Sequence, residues 1–89
     1  MGVIIMEIKR ASALQYIEGD YAPKILASGT GRTADKIIEL AQNAGVTIIE
    51  DADLATVLTE ELSMGDYIPP WCWELVAKVF AIIKNEEKT

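Results

Sequence analysis

Apolar and polar positions along the chain fall into short runs that change period several times. The clearest unit is Ala34–Asp51, ADKIIELAQNAGVTIIED. Ile37, Ile38, Ala41 and Ala44 recur at the 3,4 spacing of one helical face, predicting an amphipathic helix. Gly45 can take the left-handed conformation that ends such a helix. Val46–Ile49 is β-branched throughout and too short for a helix, which predicts a strand buried in a sheet up to Glu50. Asp51 offers a side-chain oxygen to the first free N–H groups of a second helix. That helix is expected from Ala52 to Leu62, with Leu54, Ala55, Leu58 and Leu62 as its apolar stripe.

Upstream, Glu7–Tyr16 roughly alternates and reads as a strand, with Ile8, Leu14 and Tyr16 on one side. Ile17–Pro23 carries turn signals, and Lys24–Ser28 reads as a second strand. Gly29–Thr33 leads into the first helix, with Thr30 or Thr33 as its cap. Downstream, Gly65 ends the second helix, and Pro70, suited to a first helical position, starts a third that runs to about Ile83. This third helix is expected to bury Cys72, Leu75, Val76, Val79, Phe80 and Ile83, with a frayed tail over 84–89. Residues 1–6 read as a disordered stretch or an extension, with Met6 as an alternative start. The order β-β-α-β-α-α describes one α/β (α+β) domain over 1–89, a small mixed sheet surrounded by helices.

Composition narrows the function classes. Half of the 89 residues are hydrophobic, a globular balance. The formal net charge of −6 argues against nucleic acid, whose binding draws on clustered Lys and Arg. The single cysteine leaves no internal disulfide. No apolar run is long enough to span a membrane, and MGVIIM lacks the basic start of a signal peptide, so a cytoplasmic protein is expected.

Four features invite chemistry. Gly29-Thr30-Gly31-Arg32 before a helix suggests an anion cradle, but it lacks a third glycine and the P-loop ending, so a strand-to-helix turn is the better reading. Glu50, Asp51, Asp53, Glu60, Glu61 and Asp66 match no calcium loop, and without histidine neither a transition metal nor a cofactor is implied. Cys72 lacks a histidine base and shares a face with Val76 and Val79, which favours a core role over redox chemistry. Trp71 is the better candidate for an exposed contact, whereas Trp73, near Ala77 and Phe80, should be packed. Ala22-Pro23 is either a turn entering a strand or part of a shallow apolar patch with Ala55 and Leu58.

The ordered segments ASALQY, APKILASG, KIIELAQNAGVTIIED, DLATVL and SMGDYIPPWCWELVAKVFAII together resemble the cytoplasmic C-terminal domain of the FlhB/YscU family. These are export-switch proteins of flagellar and injectisome type III secretion. The resemblance covers Ala11 to about Ile83 and implies a small mixed sheet among helices, and it leaves open whether Val3–Ile5 pairs as a remnant of the strand that precedes the family's cleavage loop. Family members cleave themselves within an Asn-Pro-Thr-His motif just before the strand matching Ala11–Tyr16. The equivalent places here hold Met6-Glu7-Ile8-Lys9, and neither Asn43 nor Asn85 precedes a proline. The resemblance therefore implies a non-enzymatic domain, a free-standing counterpart of the fragment that cleavage leaves, without the family's membrane domain. It implies export-gate proteins (the FlhB membrane domain and FlhA), export substrates and a hook-length control protein as partners, at the inner face of the membrane. It also implies that Ala22, Pro23, Ala55 and Leu58 form a hydrophobic recess for a short substrate motif. The alternative from the residues alone is a regulatory domain binding a small anion at Gly29–Arg32.

Overall fold

The computed structural model describes residues 2–20, 22–74, 76–77 and 81. Its largest departure from the sequence reading is at the start. Gly2–Glu7, read as a disordered stretch or extension with the pairing of Val3–Ile5 left open, is strand β1. It lies inside the sheet, antiparallel to β2 (Arg10–Gln15) and parallel to β4 (Thr47–Glu50). With β3 (Lys24–Thr30) the order is β3-β2-β1-β4, a mixed sheet with one strand more than the patterning predicts. The reason lies in the side chains: Val3, Ile4 and Ile5 are aliphatic on both sides of the strand, and all three are buried. A strand covered on both faces reads as a continuous apolar run rather than an alternation.

Helix α1 (Arg32–Ala44) covers one face of the sheet and α2 (Ala52–Glu60) the other. On the α1 face, Ile4 and Ala11 pack with Ala34 and Ala41. On the α2 face, Val3, Ile5, Leu14 and Ile25 join Leu54, Ala55 and Leu58, and the chain after α2 adds Ile68, Cys72 and Val76. The single turn η1 (Pro70–Cys72) opens this last segment, and Trp73, Glu74, Val76, Ala77 and Ala81 beyond it are helical. The expected burial of Leu75, Val79, Phe80 and Ile83, and the frayed tail, fall outside the described residues. Cys72 and Val76 are buried as expected.

Several boundaries move for local reasons. The segment read as a strand from Glu7 contains the β1–β2 turn at Ile8-Lys9, and Ile8 stands 85% exposed there instead of joining Leu14. The α1 cap is Gly31, at φ 59, and neither Thr30 nor Thr33. The glycine can adopt that angle without the steric penalty a Cβ brings. Gly45 and Asp51 behave as the sequence predicts: Gly45 is left-handed, and Asp51 accepts from the Leu54 N–H at 3.0 Å. Strand β4 is an edge strand rather than a buried one, so Ile48 and Ile49 are only partly covered. Ala44 is exposed, because α1 buries its alanines at 34 and 41.

Candidate docking surface

The residues expected to line a recess belong to two elements on the α2 side of the sheet. Helix α2 starts at Asp51 and turns Leu54, Ala55 and Leu58 inward, and none of the three is more than 1% exposed. Ala22-Pro23 enters β3. The Pro23 carbonyl accepts from the Ile68 N–H at 2.8 Å, while Ile25 exchanges backbone bonds with Gly65 and Asp66. Ile68 is the link between the two halves of the set: its backbone holds Pro23, and its side chain lies in the same buried cluster as Ala55 and Leu58.

This geometry changes the status of the recess. Ala22, Ala55 and Leu58 are closed to water, and only Pro23 is partly accessible. Ala55 and Leu58 face the sheet, and Ala22 is buried outside both main clusters. In this conformation the four residues are core and core margin, not an open cup. Cys72 lies in the same cluster; burial first, and the charge of Glu61 second, push its thiol up from the ordinary cysteine value. A raised value is the opposite of what a nucleophilic thiol needs.

Open apolar surface lies elsewhere. Trp71 is 60% exposed, as expected for a contact residue. Trp73, expected to be packed, is 44% exposed, and its indole N–H donates to the Ile68 carbonyl at 2.8 Å. On the opposite side of the sheet, a cavity of about 300 Å³ lies between α1 and the strands, lined by Ile4, Ala13, Leu26, Ile37, Leu40 and Val46 among others. A bulge between the β2–β3 pairs Ala13↔Ala27 and Leu14↔Ile25 leaves Leu26 unpaired and places it on this lining. Nothing in the sequence signals a bulge at that point, because Lys24–Ser28 alternates no better in one register than in another.

The Gly29–Arg32 turn has a packing explanation. A Cβ on Gly29 would overlap the Thr33 side chain, and the Gly31 N–H donates to the Lys9 carbonyl at 3.0 Å. Among the described residues, no buried side-chain nitrogen or oxygen lacks a partner, and no His, Cys, Asp and Glu group could hold a metal.

Met6 and Glu7 form the end of β1, and Ile8-Lys9 make the two-residue turn to β2. Arg10, the first residue of β2, clasps this hairpin to the end of α2. Its Nη2 meets Glu60 Oε1 at 2.8 Å, Nη1 donates to Thr59 Oγ1 at 3.0 Å, and Nε lies 3.4 Å from Glu7 Oε1. The Thr59 hydroxyl in turn donates to the Ala55 carbonyl at 2.8 Å. Sequence reading missed Arg10, since contacts across about fifty residues leave no local pattern.

Comparison with known proteins places this fold. The family model described as the FlhB HrpN YscU SpaS family matches residues 3–83. YlqH of Bacillus subtilis is 43% identical over 77 residues, covering 85% of this chain and 82% of YlqH. The flagellar biosynthetic protein FlhB of Aquifex aeolicus is 34% identical over 79 residues, 88% of this chain but 23% of that protein. Among solved structures, a C-terminal domain of EscU carrying an asparagine-to-alanine substitution superposes with a TM-score of 0.86 at 32% identity. That match covers 90% of this chain and 82% of the EscU domain. The cytoplasmic domain of FlhB from Shewanella putrefaciens gives 0.84 at 29% identity, over 89% of this chain and 62% of that one.

Proposed function

The chain belongs to the FlhB/YscU family, and from that premise we propose that it is a non-enzymatic component of flagellar type III protein export. It stands in for the cytoplasmic domain of FlhB at the export gate and takes part in substrate recognition or specificity switching. The observation that supports this is the extent of the match. The family model runs from Val3 to Ile83, and the superposition on EscU and FlhB cytoplasmic domains takes in nine-tenths of the chain. The FlhB proteins it matches are much longer, the chain spanning 23% of the Aquifex protein. Its partners are therefore proposed by likeness: the FlhB membrane domain and FlhA, export substrates and the hook-length control protein. Its place is the cytoplasm, at the inner face of the membrane; no described helix is long and apolar enough to cross one.

The recess of Ala22, Pro23, Ala55 and Leu58 enters this reading as a site that opens. With three of its four residues closed, admission of a substrate motif requires the Tyr67–Cys72 segment to shift from its bonds to Pro23 and the cluster around Leu58. The test is genetic. Removing the chain from a strain whose FlhB lacks its cytoplasmic domain should abolish residual motility or alter hook length. Unchanged secretion, hook length and motility would remove the proposal. Binding follows separately: purified chain should retain the FlhB membrane domain in a pull-down.

A further inference from the structure

Strand β4 leaves one side of the sheet open. It pairs with β1 alone, and among the described residues Thr47–Glu50 make no backbone hydrogen bond outside that ladder. At the other edge the start of β3 is covered, where Ile25 is already bonded by Gly65 and Asp66. Side chains repeat the picture. Ile48 packs at the margin of the α1 cluster and Ile49 at the margin of the α2 cluster, and both remain partly exposed. A strand laid beside β4 would satisfy the open backbone edge and complete both faces together.

Charge selects the occupant. From Ile37 to Ala77 the chain carries acidic residues but no lysine or arginine. Three of those acids, Glu50, Asp51 and Asp53, fall at the end of β4 and the start of α2. Asp51 is committed to the Leu54 N–H, whereas Glu50 and Asp53 are exposed and enter no ion pair among the described residues. A second copy pairing edge to edge would bring no lysine or arginine from 37–77 to answer Glu50 and Asp53, whereas a basic strand supplies the opposite charge directly.

We infer that the free edge of β4 is a β-augmentation site for a short extended segment of another polypeptide, one that bears aliphatic side chains and basic residues facing Glu50 and Asp53. This surface is separate from the recess around Leu58, so it does not depend on that recess opening.

The test titrates isotopically labelled protein with a soluble seven-residue peptide of three central valines flanked on each side by two arginines, and with its valine–glutamate counterpart. The basic peptide should shift the Thr47–Glu50 amides and slow their exchange with solvent. The pair Glu50→Lys with Asp53→Asn should weaken binding about tenfold, the effect of losing or reversing two exposed charges. For the unaltered protein, raising salt from 0.05 to 0.5 M should weaken binding by a similar factor, a readout independent of any variant's folding. Equal binding of the acidic peptide, shifts centred on Leu26 and Leu40 instead of β4, or no shift at millimolar peptide would each overturn the assignment.

Discussion

Replacing Arg10 by alanine removes the clasp between the β1–β2 hairpin and the end of α2, and its cost can be worked from the contacts. The Glu60 carboxylate lies 2.8 Å from Nη2, but its side chain is 55% exposed and that of Arg10 25%. Solvent screening therefore limits the pair to about 0.5 kcal/mol. The bond to Thr59, partly buried at 3.0 Å, contributes about 0.5–1 kcal/mol. The Glu7 contact at 3.4 Å spans neighbouring residues on one hairpin and adds little. Arg10→Ala should thus destabilise by about 1–1.5 kcal/mol, lowering the melting temperature by roughly 5–9 °C for a domain of this size. In 0.5 M salt the ionic share is screened, and the loss should fall to about two-thirds of its low-salt value. Urea unfolding of Arg10→Ala, Glu60→Gln and the double variant gives the coupling directly, expected at about 0.5 kcal/mol. A loss below about 0.3 kcal/mol, or no coupling to Glu60, would refute the clasp.

Other consequences follow from burial and close approach. Leu58→Ala, at a side chain with no exposed surface, should cost about 2–5 kcal/mol in urea unfolding, whereas Trp71→Ala at 60% exposure should stay within about 0.5 kcal/mol. Gly29→Ala forces an overlap with Thr33 and should cost about 1–3 kcal/mol, part of it recovered when Thr33→Ala is added, as thermal melts would register. The Cys72 thiol should react with a disulfide reagent at pH 8 only as fast as the protein unfolds, since it is buried and its pKa is raised. The raised value means that the folded state holds this proton more tightly than the unfolded chain. Its contribution to stability is complete below the unfolded thiol's value of about 8.5 and is lost as pH rises through the folded value. Cys72→Ala should therefore flatten the alkaline decline of the melting temperature; an unchanged slope would count against the burial argument.

The features legible along the chain are local ones. The 3,4 spacing of α1, the left-handed Gly45 after it, and the Asp51 oxygen on the Leu54 N–H involve residues within four positions of one another. The same holds for the inward stripe Leu54, Ala55 and Leu58, and family membership was legible from the order of such segments. Periodicity says which residues are apolar, but not what covers them. Val3–Ile5 could be read as an extension because a central strand shows no alternation, and its place between β2 and β4 depends on partners up to some 45 residues away. For the same reason Val46–Glu50 read as buried, while the fold left it at an edge where no further strand follows among the described residues. Ala55 and Leu58 carry one pattern whether they line a recess or a core. The packing of Ile68, Cys72 and Val76 beside them is what closes them to water in this conformation.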